Sequence, residues 1–286
     1  MRQPEGYEVN QDYYVCKLQK SIYGLKQGAK ECSRKMHDIL CLNGFSQSQN
    51  DPCLYSQCKN GNWIYVAVHV GDLIFAATSQ SDVEDFEDSM SKVFTLKKLG
   101  NLKFYLGMQF DRDEDGIFYV HQQKYIEEKL QDFGLTDSRP SNIPVDPGYQ
   151  KRQEVDEDMT DKEVYRRAIG SLLYLAINTR PDIAVGTSIL SRHVENPKQS
   201  DWIEVKRIYR YLKKTKHKKL KLGAVSENQN NDLTIYVDAD WGGDRTDRKS
   251  NSGYCMTYKG CTIAWRSKKQ SLVTLSSTEA EYIALT

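Results

Sequence analysis

Two pairs of carboxylates stand where a metal ion can be held. Asp238 and Asp240 close a strand-like, buried-looking run, and Glu279 and Glu281 fall in the first turn of a helix-like segment opening at Ser276. A strand and a helix that each offer acids supply what a two-metal phosphodiester site needs, because two Mg2+ ions about 4 Å apart must share oxygens. By spacing alone, solvated surface acids are the plainer account. Asp72 ends the tripeptide Val70-Gly71-Asp72 between two apolar runs. A carboxylate there either projects a metal ligand from a rigid base or is ordinary turn chemistry, the simpler of the two. The third feature is cationic, with nine basic residues in the stretch 206–221. Lys206, Arg210, Lys213 and Lys214 lie off the apolar stripe of their segment with Tyr211 among them, a pattern that suits phosphates and bulk water equally.

The elements that must position these groups follow from periodicity. Residues 33–42 carry Met36, Ile39 and Leu40 at helical spacing before an Asn43-Gly44 stop. Runs at 63–68 and 73–77 predict a tight hairpin around Val70-Gly71-Asp72, and runs at 102–110 and 116–120 a second hairpin with a charged loop. A helix through Tyr125, Ile126 and Leu130 should stop near Gly134. Prolines in 139–148 and six acids in 153–163 then mark a linker and a domain border. Helices are expected at 162–178, 181–193 and 201–215, the last burying Trp202, Val205, Ile208, Tyr209 and Leu212. Strands at 233–238, 253–258 and 261–267 lead to a helix opened by Ser276-Ser277-Thr278-Glu279, which reads as a capping box.

Composition adds exclusions. Lys plus Arg number 40 against 39 Asp plus Glu, so a nucleic-acid signal has to be local. With 286 residues, 39% of them hydrophobic, the chain can build one or two cores. Seven cysteines without paired C-x-x-C spacing read as reduced thiols of an intracellular protein, not as a disulfide or zinc framework. The longest apolar stretch, 63–77, is interrupted by His69, Gly71 and Asp72 and is too short for a bilayer, and the N-terminus has no signal-like run. A soluble protein is expected.

Several phrases resemble those of one family. Ser21-Ile22-Tyr23-Gly24-Leu25-Lys26-Gln27 is similar to the SLYGLKQ phrase of copia-type retrotransposon reverse transcriptases. Tyr165 to Tyr174 with Thr179-Arg180-Pro181-Asp182 resembles their YR-x-x-x-G-S-L-x-Y-L and TRPD segment, and Arg210-Tyr211-Leu212-Lys213 their RYLKGT phrase. Tyr236-Val237-Asp238-Ala239-Asp240-Trp241, Arg248-Lys249-Ser250, the run from Trp265 to Gln270 and Ser276 to Tyr282 resemble their ribonuclease H signature, in order. The resemblance implies a palm, fingers and thumb, a connection and a ribonuclease H domain, acting with Mg2+ on RNA, DNA and RNA–DNA hybrid. It makes Asp238 and Glu279 the first two of four ribonuclease H carboxylates. It sets Lys26 and Gln27 beside the incoming nucleotide and template, and Asp72 among the polymerase metal ligands.

Departures from the pattern set the functional expectation. The family's metal-binding turn reads Tyr-Val-Asp-Asp, whereas here it is His69-Val70-Gly71-Asp72, and glycine offers no oxygen ligand. The family's other palm aspartate precedes the phrase matched by residues 1–7, its last two ribonuclease H carboxylates follow the helix at Ser276, and a family tryptophan is Cys32 here. The expected protein is α+β, with a partial reverse transcriptase palm and thumb at 1–145, a linker and helical connection region at 146–224, and a truncated ribonuclease H-like domain at 225–286. It should be a catalytically dead polyprotein fragment, with weak, incomplete metal sites at Asp72, Asp238 and Glu279. Alternatives are a piece of an active polyprotein completed by flanking sequence, a domesticated nucleic-acid-binding protein using Lys206, Arg210, Lys213 and Lys214, and a decayed copy. Membrane association is not expected, and the oligomeric state stays open.

Overall fold

Alternation along one strand explains the first core. In β3 (Asn62–His69), Ile64 and Val66 are buried while Trp63 and Tyr65 are exposed, so one face of the sheet is apolar and the other faces water. The strand lies in an antiparallel sheet of order β1 (Ser46–Gln47), β2 (Leu54–Lys59), β3 and β4 (Asp72–Ala76). Two helices, α1 (Lys26–Leu42) and α2 (Gln80–Ser91), supply the rest of that core: Met36, Ile39 and Leu40 from α1 and Met90 from α2 pack with Ile64, Val66, Tyr55 and Phe45. The computed structural model describes residues 2–9, 14–19, 22, 24–149, 157–159, 161–223 and 233–286, apart from the side chain of Lys26. They form two compact units, Met1–Leu102 and Lys103–Thr286.

The second unit begins with β5 (Phe104–Tyr105), β6 (Met108–Arg112) and β7 (Phe118–His121), and β8 (Leu220–Leu222) returns to pair with β7. Between β7 and β8 run α3 (Gln123–Asp132), α4 (Lys162–Asn178), a 3-10 turn at Pro181–Ile183, α5 (Ala184–Leu190) and α6 (Gln199–Lys214). Their stripes make one core, in which Tyr165, Leu172, Leu175, Ile183, Leu190, Val205, Ile208, Tyr209 and Leu212 are fully buried. Buried tyrosines need partners for their hydroxyls. Tyr165 donates to the Leu190 carbonyl at 2.9 Å and Tyr209 to the Ala168 carbonyl at 3.0 Å. An antiparallel meander, β9 (Leu233–Asp240), β10 (Asn251–Tyr258) and β11 (Cys261–Lys269), follows, and α7 (Ser277–Ala284) packs on β9 and β10.

Two expectations need correcting. The run 102–110 is two strands, because Leu106 and Gly107 both take positive φ and turn the chain between β5 and β6. The β9 strand read as buried is largely exposed, Asp238 and Asp240 included. Residue 145, where the sequence places a border, lies within the unit Lys103–Thr286, and 224 lies outside the described residues. The proline-rich stretch is pinned there: the Ser141 amide donates to the Arg210 carbonyl at 3.1 Å, and buried Tyr149 donates its hydroxyl to buried Asp201. Much of the acidic stretch, 150–156 and 160, is outside the described residues.

Candidate catalytic and nucleic-acid sites

The hairpin joining β3 to β4 turns on two residues, Val70 and Gly71, with His69 directly opposite Asp72. Asp72 is therefore the first residue of β4 and not part of the turn, and its side chain is exposed. Val70 sits at φ +54°, in the left-handed region where a β-branched side chain is strained, a condition found at functional turns more than elsewhere. The Cys32 thiol of α1 reaches the Val70 carbonyl at 3.8 Å. At Gly71 the φ is not positive, and a Cβ would meet nothing within 4 Å. The backbone thus demands no glycine at the position where a second carboxylate is missing.

The second acid pair is brought closer, because α7 packs against β9. Glu279 is nevertheless engaged locally: its carboxylate accepts the Leu275 amide at 2.7 Å while the Ser276 hydroxyl accepts the Glu279 amide at 3.1 Å, which caps the helix. Asp240 accepts the Asn251 amide across the strand pair. Among the described residues no three His, Cys, Asp or Glu side chains are grouped to hold a metal ion. Neither Asp72 nor the Asp238–Glu279 pair belongs to such a group.

The basic stretch is spent differently from its spacing. Tyr211, read as part of the cationic face, is buried and donates its hydroxyl to Asp182 at 2.8 Å. Lys213 donates to the Ser138 carbonyl at 2.6 Å and Lys214 to the Asn142 side chain, so both fasten the segment before α4. Arg207 pairs with Glu204 and Asp146, Lys216 with Glu127 and Lys219 with Asp111. Lys206 lies over the Trp202 ring, and the Arg210 Nε is buried without a hydrogen-bond partner. Gln27 is exposed in the first turn of α1, and the Lys26 side chain is outside the described residues.

Two charged clusters had no chemical role assigned from sequence. Arg180, 2% exposed, forks onto Asp182 with two bonds of 2.8 Å and also reaches the Thr215 carbonyl. Burial pushes the Asp182 carboxyl up, but Arg180 and the Tyr211 hydroxyl hold it below the usual range. The Asp244 carboxylate receives Lys269 and Arg192, the latter from the turn after α5. Its burial acts upward, and Lys269 with the Thr246 and Asp247 amides brings its pKa down to about 2. Both clusters depend on residues far apart in the chain, which spacing does not reveal.

Among the described residues no helix is long and apolar enough to cross a membrane. Residues 1–147 match the family model for reverse transcriptase (RNA-dependent DNA polymerase). The whole chain is 36% identical to the retrovirus-related Pol polyprotein from transposon TNT 1-94 of Nicotiana tabacum, covering 22% of it. Over 99% of the chain it is 33% identical to the corresponding polyprotein from transposon RE1 of Arabidopsis thaliana, covering 19% of it. An uncharacterized mitochondrial protein of Arabidopsis thaliana is 31% identical over 78% of this chain and 90% of its own length. The chain thus spans about a fifth of the two polyproteins. No solved structure matches it. The phrases, the mixed helices and antiparallel sheets and these matches together place the chain in the reverse transcriptase family of copia-type retrotransposon Pol polyproteins.

Proposed function

We propose that this chain is a reverse transcriptase–ribonuclease H stretch of a copia-type Pol polyprotein that keeps a nucleic-acid-facing scaffold but does not synthesise DNA. The observation that carries the reading is Gly71, which puts a hydrogen atom where the turn needs an oxygen ligand. Reverse transcriptases use divalent metal, and bridging two ions requires shared carboxylates. The donor set here does not fit a pair of Mg2+ ions: Asp72 lacks a neighbouring acid at 71, and no group of three ligand side chains exists among the described residues. The ribonuclease H-like part retains Asp238 and Glu279, with Glu279 occupied in capping α7. Primer extension on RNA or DNA templates with Mg2+ or Mn2+ tests the reading. No templated product is expected, and product above background would overturn it.

Binding without turnover is the activity left to the cationic residues. Lys213, Lys214, Lys216 and Lys219 already have acceptors within the chain, which leaves Lys206 and Arg210 as the freest contributors of the helix. Two phosphate contacts give a slope of log affinity against log salt of roughly −2, at about −0.9 per contact. RNA–DNA hybrid retained in low salt, uncut, and released with that slope is the expected result of a salt titration.

A further inference from the structure

A cavity of about 250 Å3 lies between residues 181–185 and the sheet β9–β10–β11. Strand register explains why it is there. Gly253 of β10 sits between Asp238 of β9 and Ser267 of β11, and a Cβ on Gly253 would meet only backbone oxygens, at 3.9 and 4.0 Å. The middle of the floor therefore has no side chain to fill it. Alternation puts Asp238 and Ser267 on that same face, with Tyr236, Cys255 and Trp265 in the adjoining row. Pro181, Ala184 and Val185 form the opposing wall. Trp265 is held in place by its indole N–H, which donates to the Ala176 carbonyl at 2.6 Å. The Asp238 carboxylate has no protein partner among the described residues.

An ionised carboxylate only accepts hydrogen bonds. Set among aromatic and aliphatic walls, it selects a flat ring with adjacent N–H donors. Guanine presents N1–H and N2–H2 side by side, the same forked match that makes arginine–carboxylate pairs bidentate. Uracil instead flanks its one N–H with two carbonyl oxygens, which a carboxylate repels. The volume is below the roughly 300 Å3 at which drug-sized pockets begin, and suits one fused bicyclic ring. We propose that this cavity takes a guanine base, its N1–H and N2–H2 edge on Asp238 and its ring against the apolar walls. The choice of a nucleobase as ligand rests on the nucleic-acid reading above.

The test uses guanosine, inosine and uridine with the full chain in EDTA, followed by chemical-shift changes of the β9–β11 amides. Guanosine should bind roughly tenfold more tightly than inosine, which lacks the N2 amine, and than uridine. Asp238→Asn should erase that preference, and Gly253→Val, whose Cβ meets backbone only at ordinary contact distance, should abolish binding of all three with the circular dichroism unchanged. Equal affinity for guanosine and uridine, or a guanosine preference that survives Asp238→Asn, would overturn the proposal. These nucleosides carry no phosphate, so their affinity should not depend on salt. Failure here leaves the salt-dependent binding of hybrid intact, and loss of hybrid binding alone leaves this site intact.

Discussion

Two tetrapeptides stand at the places of family phrases, and the protein treats them in opposite ways. His69-Val70-Gly71-Asp72 spans the β3–β4 hairpin, with Asp72 exposed at the start of β4 and position 71 of the turn facing open space. Thr179-Arg180-Pro181-Asp182 is packed: Thr179 donates to Gln122 at 2.7 Å, Arg180 is buried, and Asp182 collects Arg180 and Tyr211. Two residues of the first, His69 and Gly71, diverge from the family phrase and none of the second does. A side chain whose only work is to hold a ligand can be lost without disturbing any packing. One that neutralises a buried guanidinium cannot, because an unpaired buried charge is costly.

The sharpest way to break this comparison is to disturb the packed tetrapeptide. Arg180→Ala leaves Asp182 and the Thr215 carbonyl without their main donor and opens space beneath Tyr211, so a loss of about 3 kcal/mol is expected. Urea denaturation followed by far-ultraviolet circular dichroism measures it. A variant within about 0.5 kcal/mol of the parent, the range of an ordinary surface change, would show that the phrase does not hold the fold.

A smaller effect is expected where a charged cluster joins helix to sheet. The Asp244 carboxyl, at about 2, is below its unfolded value near 3.9, so its stabilisation is complete above the unfolded value and is lost as pH falls through the folded one. The contribution is about 2 kcal/mol and should disappear between about pH 4 and pH 2. Asp244→Asn should lower stability at neutral pH by a similar amount and flatten the acid limb of the stability profile. An unchanged acid limb would mean that Lys269 and Arg192 find other acceptors, and the contrast between packed and exposed charge would have to be narrowed to Arg180.

What the sequence disclosed and what it hid follow from the range of the interactions involved. The helix 162–178 was legible to the residue, since its stripe and its Asp161 cap are local, and the turn around Gly71 was legible as an apolar hairpin. The acid-rich α2 was missed, although Ser79 caps it by accepting the Ser81 amide, because its core-facing residues are sparse. So was β2, which the Asn60-Gly61 turn joins to β3. In the basic stretch, spacing shows which residues leave the apolar stripe but not that Ser138 and Asn142 come to meet α6, or Glu127 and Asp111 the lysines that follow it. The hollow over Gly253 needed three strands in register before it could be seen.

The smallest expected effect is at the turn itself. Gly71→Asp adds a side chain where φ is not positive and nothing lies within 4 Å, so neither backbone strain nor a clash opposes it. Adjacent acids at the turn and at the start of β4 repel, but in water that repulsion is weak and screened by salt. The opposing gain is a narrower unfolded ensemble, since a glycine is removed from a conformation that other residues adopt. The two terms leave a stability change within about 0.5 kcal/mol, the range of ordinary surface substitutions. What should change is metal affinity: the new carboxylate and that of Asp72 make a pair on a rigid hairpin, enough for weak Mn2+ binding, seen as selective broadening of the Val70 and Asp72 amide resonances. A destabilisation well beyond 0.5 kcal/mol would mean that the fold does require glycine at 71. The contrast between a turn free to lose its chemistry and a packed phrase that is not would then fail at its weaker end.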